Sequence, residues 1–174
     1  MPCPYKKIKN QYPISKIQNP TSINMSIHKV KISWKNEKDD FSYFNYDRTH
    51  SWEFEGGKKM IASAAPEYIG NIEHINPEEA LAAALSSCHM MTFLFVCSKK
   101  KYIVGSYEDS SEAVLEKNSK NKMAVTKLYL RPKITFIGEN QPTTEMLDLL
   151  HEKAHEECFI ANSVLTEIII EPVY

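Results

Sequence analysis

Asn76-Pro-Glu-Glu-Ala-Leu-Ala-Ala-Ala-Leu-Ser-Ser-Cys88 is the stretch that decides the fold, because it predicts the start of a long buried helix. Asn76 is a suitable N-cap and Pro77 suits the first helical position. Glu79, three residues after the cap, completes a pattern typical of a capping box. We expect the helix to continue to about Lys100, within a lysine run that complements the negative end of the helix dipole.

Residues 80–98 carry no formally charged side chain and are long enough to cross a bilayer. Serines, a threonine, Cys88 and His89 interrupt this run, and its alanines add little apolar area. The amphipathic segments elsewhere in the chain also need an apolar element to cover. We therefore predict a central helix buried in a protein core, with no membrane partner.

Strands are predicted on both sides of this helix. Val30, Ile32 and Trp34 alternate with polar residues, which is typical of a half-buried strand. The two longest predicted strands should form a hairpin around residues 118–121, with Pro132 at an edge or a bulge. The predicted strands are residues 29–35, 41–46, 52–54, 60–65, 107–117, 122–137 and 168–170.

A second helix is predicted to open at Pro142 and to end near residues 158–162. Its apolar side is formed by Met146, Leu147, Leu149, Leu150 and Ala154. The order of elements is strands, helix, hairpin, helix and strand. That order predicts an α+β domain, without internal repeats and without a glycine-rich phosphate loop.

Charge and composition separate a short N-terminal segment from the rest of the chain. Residues 1–24 contain four lysines, four prolines and no acid, and we expect a disordered extension there. Residues 25–174 form the predicted domain; they hold 17 basic and 22 acidic side chains, which argues against a nucleic-acid partner. Four cysteines without an apolar secretory signal favour a cytoplasmic protein whose thiols are reduced.

Two of the cysteines are candidates for chemistry. Cys88 lies 12 residues past Asn76, beyond the reach of the helix dipole, so its thiolate would need a stabilising group from elsewhere in the fold. The alternative is a small core hydrophobe, which is what we predict for Cys97. Cys158 is predicted near a helix C-terminus, where the dipole disfavours a thiolate. That position suits a resolving thiol better than an attacking one.

Arg48 and Glu78 are the charged residues that could support such a thiol. Arg48 lies in an aromatic stretch, where a partly desolvated guanidinium presents a fixed fork of donors. The alternative is a surface ion pair with Asp47. The Glu78 carboxylate interacts favourably with the positive end of the helix dipole at the start of the helix, and it could also pair with Arg48 and orient it.

A metal site is a competing hypothesis. His151, His155 and Cys158 share one helical face, and with Cys88 or His89 they could provide four zinc ligands. The same spacing also fits an exposed helix face that carries several glutamates.

Two motifs resemble those of the OsmC/Ohr family, the osmotically inducible and organic hydroperoxide resistance proteins. The stretch from Asn76 to Cys88 resembles the family's Asn-Pro-Glu…Ala-Ala…Cys motif in both its Asn-to-Cys and its Glu-to-Cys interval. Ala154-His-Glu-Glu-Cys158 resembles the second cysteine motif, 70 residues later. The resemblance implies an intertwined α+β homodimer with antiparallel sheets around long central helices, and active sites at the subunit interface.

The family's enzymes reduce organic hydroperoxides, and the resemblance implies a role for each matching residue. Cys88 would attack the peroxide and become a sulfenic acid, and Cys158 would resolve it as a disulfide. Glu78 matches the glutamate that holds the catalytic arginine, and Arg48 is the best match to that arginine. The implied reductant is a dithiol or a lipoylated protein, and no bound cofactor is expected. A redox-sensing or ligand-binding dimer without turnover, or a zinc-stabilised protein, remain alternatives.

Overall fold

The structure is a computed structural model that describes residues 25–173. It is an α+β fold with two α-helices and three small sheets. The segment 1–24, for which we predict disorder, lies outside the described residues. The elements are β1 (Val30–Ser33), β2 (His50–Phe54), β3 (Lys59–Ala62), α1 (Pro77–Lys99), β4 (Ile103–Asp109), β5 (Glu112–Lys117), β6 (Met123–Leu130), β7 (Pro132–Ile137), α2 (Thr144–Glu157) and β8 (Glu167–Ile170).

Helix α1 begins where the sequence predicts and for the predicted reason. The Asn76 side chain accepts a hydrogen bond from the Glu79 backbone N–H at 2.8 Å. The Glu79 carboxylate in turn accepts the Asn76 backbone N–H at 3.1 Å, which completes the capping box. Helix α2 is capped by Thr143, whose side chain accepts the Met146 N–H, so this helix begins two residues after Pro142.

The three sheets have the orders β1-β2-β3, β4-β7 and β5-β6-β8. The predicted hairpin is confirmed, but each of its arms is broken into two strands that enter different sheets. Pro132 lies at the break between β6 and β7, in agreement with its predicted position at an irregularity. Within the described residues, the strand pairs of the three sheets are antiparallel, as the resemblance implies, except that β8 pairs parallel to β6. A strand that returns after a helical crossover such as α2 can enter the sheet in the parallel direction.

The predicted strand at residues 41–46 is also wrong, because this segment is a turn. The Ser42 carbonyl accepts both the Asn45 and the Tyr46 backbone N–H at 3.1 Å. The Asp40 carboxylate accepts hydrogen bonds from the Ser42 N–H and the Asn45 side chain. Side-chain to backbone bonds of this kind outweigh the strand propensity of aromatic residues.

Two apolar clusters lie along the contact between α1 and the rest of the domain. One holds Ala82, Leu85, Leu128, Leu130 and Cys158, and the other holds Phe93, Val96, Cys97, Leu150 and Ala154. The first cluster joins α1 and the cap of α2 to β6, and the second joins α1 to α2 and packs against the sheet of β4 and β7. Their position defines a seam between α1 and α2 in which the candidate site lies.

Other apolar surfaces of the chain are not covered. Val30 and Ile32 of β1 and Met60 of β3 are exposed, and so are Met91 and Phe95 on α1.

Helix α1 is long and apolar enough to cross a membrane, and 33% of its most apolar window is buried in the fold. It nevertheless packs against α2, β4 and β5, as a core helix does.

Candidate functional site: a thiol pair between the helices

Cys88 and Cys158 meet in the seam between the two helices. Cys88 lies in the middle of α1, and Cys158 is the C-cap residue of α2. Their sulfur atoms are 2.7 Å apart, and both cysteines are free thiols. The chain thus brings together two groups that are 70 residues apart in sequence.

The segment after α2 supplies backbone donors to both sulfur atoms. The Ile160 N–H points to the Cys88 sulfur at 3.5 Å, and the Ala161 N–H points to the Cys158 sulfur at 3.4 Å. These donors exist because the chain turns after Cys158 into a short 3-10 segment, Ala161–Ser163. Hydrogen bonds to sulfur favour the thiolate form of a cysteine.

The two thiols differ in their exposure. Cys158 is fully buried, whereas Cys88 is partly exposed. Burial, followed by the hydrogen bond to Cys88, raises the pKa of Cys158 to about 11. Cys158 is therefore protonated at neutral pH, and Cys88 is the thiol that a solute can reach. Cys97 is a buried core residue as predicted, and burial raises its pKa to about 11.

Arg48 lies in the aromatic patch that the sequence indicates, immediately before β2. Its guanidinium donates to the carbonyls of Tyr46 and Tyr43 at 3.0 and 2.7 Å, and its central carbon lies 4.0 Å from the centre of the Tyr46 ring. The alternative ion pair with Asp47 is not formed, and that carboxylate accepts the Thr49 N–H. Arg48 lines a cavity of about 470 Å³ together with Trp34, Phe41, Tyr46, His50, Ser63, Ala64 and Pro77.

Glu78 is half-buried in the first turn of α1 and lines a different cavity, of about 530 Å³. Within residues 25–173 of one chain, no ion pair joins it to Arg48, and no carboxylate pairs with that arginine. The single chain therefore assembles the two cysteines but does not bring Arg48 and Glu78 into contact with each other.

The structure also places a histidine pair beside the thiols. His89 Nε2 lies 3.1 Å from His151 Nδ1, and the two rings are stacked with an interplanar angle of 6°. Burial lowers the pKa of His89 to about 3 and that of His151 to about 4, so both rings are neutral at pH 7. From the sequence, both residues were considered only as possible zinc ligands. Their helical spacing to Leu85, Phe93 and Leu150 could have predicted that both histidines are buried.

The zinc hypothesis finds no support in the geometry. Across residues 25–173, no group of three or more His, Cys, Asp or Glu side chains is arranged to hold a metal ion. His151 is turned towards His89, and Cys158 is turned towards Cys88. The shared helical face of these residues is therefore an inner face that binds protein groups.

Comparison with known proteins agrees with this architecture. Residues 70–172, more than half of the chain, match the family model described as OsmC-like protein. An OsmC-like protein of unknown function from Vibrio cholerae is 46% identical, with a TM-score of 0.81; the match covers 86% of this chain and 100% of that chain. No curated protein matches the chain.

More distant solved structures share the fold. An organic hydroperoxide resistance protein from Elizabethkingia anophelis is 17% identical with a TM-score of 0.66, covering 87% of this chain and 96% of that chain. The organic hydroperoxide resistance protein OhrB of Bacillus subtilis is 16% identical with a TM-score of 0.63, covering 85% and 98%. The family match, together with the close similarity to the Vibrio cholerae protein, shows that this chain belongs to the OsmC-like protein family.

Proposed function

We propose that this protein is a thiol peroxidase that reduces organic hydroperoxides. The observation that carries the proposal is the 2.7 Å contact between the Cys88 and Cys158 sulfurs in a member of this family. Two thiols in contact can form a disulfide without a large movement of either helix. Several proteins of the same fold are named for resistance to organic hydroperoxides.

The reaction proceeds in two steps that use both thiols. The Cys88 thiolate attacks one peroxide oxygen, the O–O bond breaks, and the departing alkoxide takes a proton to become an alcohol. Cys88 keeps the other oxygen as a sulfenic acid. The Cys158 sulfur then attacks the Cys88 sulfur, the disulfide forms, and the oxygen leaves as water. A dithiol, either a small molecule or a lipoylated protein, returns both cysteines to thiols.

The environments of the two cysteines support this division of roles. Cys88 is partly exposed to solvent, and its sulfur accepts the Ile160 N–H at 3.5 Å. Cys158 is buried and protonated at neutral pH, which protects it from direct oxidation by peroxide. It meets an electrophile only when Cys88 has become a sulfenic acid.

A second copy of the chain completes the site in this proposal. The exposed apolar residues of β1 and β3 and those of α1 are two faces that one chain leaves uncovered. A homodimer that covers them would bury Met91 and Phe95, which are 60% and 58% exposed in one chain. It would also allow Arg48 and Glu78, which do not meet within one chain, to meet across the interface beside Cys88. The aromatic cavity around Arg48 would then offer an apolar wall to the organic group of the peroxide.

The assembly is tested by light scattering after size exclusion. Wild type should have twice the mass of one chain, and Met91→Glu with Phe95→Glu should shift it towards the monomer. Leu165→Glu is the matched control, because Leu165 is a fully exposed apolar residue outside both faces. A monomeric wild type would contradict the homodimer.

Activity is tested by turnover with a dithiol as the reductant. Cumene hydroperoxide should be consumed much faster than hydrogen peroxide, and Cys88→Ser should abolish turnover with both. Arg48→Lys keeps the charge but loses the fork of donors, so it should lower the rate of thiol oxidation. Slow oxidation of Cys88 without a catalytic cycle would overturn the proposal in favour of a redox sensor.

We propose that the protein acts in the cytoplasm, where dithiol reductants are available.

A further inference from the structure

The buried histidine pair forms a directional link between α1 and α2. His89 is 1% exposed and His151 is 3% exposed, and their hydrogen bond of 3.1 Å crosses the seam between the helices. The Cys158–Cys88 contact is a second side-chain link between α1 and the cap residue of α2. Two polar links, one of imidazoles and one of thiols, thus join the same two elements.

The imidazole contact and the thiol contact are close to each other along both helices. His89 follows Cys88 directly on α1, and His151 precedes Cys158 by two turns on α2. A sliding or turning of α2 against α1 that breaks the imidazole contact must therefore also displace the Cys158 sulfur from Cys88. The distance between the thiols depends on the same helix register as the distance between the rings.

The remaining contacts along the seam are less directional. The two clusters on either side of the histidines are apolar, and the hydrophobic effect that stabilises them has no preferred direction. A buried hydrogen bond is directional, and losing it leaves polar groups without partners in an apolar setting. Buried polar contacts are known to specify helix register at a cost in stability.

We propose that His89 and His151 are positioning residues that hold the helix register in which Cys88 and Cys158 can form a disulfide. The pair works in its neutral form, in which one ring donates an N–H and the other accepts it. It is held from the side by Phe93, whose ring stacks on that of His151 with centroids 4.5 Å apart. His89 Nδ1 and His151 Nε2 are buried without a hydrogen-bond partner, so both rings depend on their mutual bond.

The groups around the pair are compatible with this role. Tyr107 of β4 packs against Phe93, and its buried hydroxyl has no hydrogen-bond partner. Asp148 and His155 of α2 are the charged or titratable neighbours whose fields act on the two rings. An apolar side chain would fill this space without unpaired polar atoms, as the nearby buried residues Leu85, Phe93 and Leu150 do. The polar pair is costly by comparison, which calls for a function other than packing.

The test measures the equilibrium of the Cys88–Cys158 disulfide in glutathione redox buffers, with no peroxide present. One oxidised glutathione converts the two thiols to the disulfide and yields two reduced glutathiones. We expect His89→Leu, His151→Leu and the double variant each to lower the equilibrium constant at least ~10-fold, because misaligned groups lose effective concentration. A tenfold change corresponds to about 30 mV in the potential of the pair.

A comparison with stability separates positioning from simple structural support. Each single leucine variant leaves one imidazole unpaired, whereas the double variant removes both polar groups and should recover stability. If the histidines position the thiols, the equilibrium constant stays low in the double variant although stability returns. Leu150→Ala is the matched control, because it leaves a cavity in the same seam but keeps the hydrogen bond. It should lower stability with less than a twofold change in the equilibrium constant.

Two results would overturn the proposal, and they are distinguishable. An equilibrium constant that follows stability through all variants, or that stays within twofold of wild type in the histidine variants, assigns the pair a packing role only. The inference rests on the proposed function in one respect, namely that the thiols form a disulfide. A wild-type protein that forms no Cys88–Cys158 disulfide in any glutathione buffer would refute that premise of the peroxidase mechanism together with the positioning role.

Discussion

Acid should destabilise this protein in a way that depends on the two buried histidines. In the folded chain, burial lowers the pKa of His89 to about 3 and that of His151 to about 4, from an ordinary value of 6.5. The unfolded chain therefore binds protons at these residues near pH 6.5, and the folded chain does not. A lowered folded-state pKa means that the stability is present above pH 6.5 and is lost as the pH falls towards 4.

The magnitude follows from the two pKa shifts. At pH 5 the unfolded state gains about 2 kcal/mol from protonating each histidine, relative to a neutral ring. The folded state gains almost nothing at that pH, since its pKa values lie one unit or more lower. The pair should therefore cost about 4 kcal/mol of stability between pH 8 and pH 5, which is a large part of the stability of a domain of this size.

Urea unfolding at pH 5, 6, 7 and 8, at one protein concentration, measures this loss. His89→Leu with His151→Leu should flatten the pH dependence and remove most of the 4 kcal/mol expected for the pair. Leu150→Ala is the control, because it weakens the same seam without removing a titratable group, so it should lower stability at every pH and keep the pH dependence. Equal losses of stability in wild type and the double leucine variant between pH 8 and pH 5 would refute the reasoning.

Three further predictions concern the elements that hold the site. Asn76→Ala removes the side-chain acceptor of the α1 capping box and should lower the free energy of unfolding by about 1 kcal/mol, measured by urea denaturation, whereas Asn76→Ser should retain most of it. Gly70→Ala would place a Cβ 1.5 Å from the Ala64 carbonyl oxygen, so the turn before α1 must move and the melting temperature should fall by several degrees; an unchanged melting temperature would contradict this close approach. In Cys158→Ser, hydroperoxide should still oxidise the Cys88 thiol, which should accumulate as sulfenic and then sulfinic acid. Intact mass should show these products as increases of one and two oxygens. A disulfide between other cysteines in their place would argue against the resolving role of Cys158.

Local signals in the sequence predict the helices well. The start of α1 depends on contacts within three residues of Asn76, and those contacts are present in the structure. The buried state of Cys97 follows from its apolar neighbours on the same helix. Where the decisive contacts were local but polar, the prediction failed, as in the segment 41–46, where Asp40 and Ser42 organise a turn among aromatic residues.

Long-range contacts were beyond sequence reasoning. The parallel pairing of β8 with β6 depends on where the chain lies after α2, which periodicity does not reveal. The His89–His151 bond joins residues 62 positions apart, and the spacing of histidines and cysteines on α2 equally fitted a zinc site. The pairing of Cys88 with Cys158 was expected only through the resemblance to a family, and the structure places the two thiols together.

The packing of the two helices also explains why α1 is more apolar than α2. Helix α1 is apolar on nearly every side: it packs against α2 and two sheets, and Met91 and Phe95 on it remain exposed. Helix α2 has one buried side, which carries Leu150, His151 and Ala154, and an outer side with an ion pair between Lys153 and Glu157. The site lies where the inner sides of both helices meet, and there a polar pair and a thiol pair interrupt the apolar core.

The most direct test of the proposed peroxidase is the intact mass and free-thiol count after one equivalent of cumene hydroperoxide, with hydrogen peroxide in parallel. Wild type should lose two thiols and two mass units within seconds, and peptide mapping should find a Cys88–Cys158 disulfide. The organic peroxide should act faster than hydrogen peroxide, and Cys88→Ser should keep its remaining thiols. Thiols that stay unchanged with both oxidants would contradict the peroxidase mechanism, while the fold and the thiol contact would stand as described.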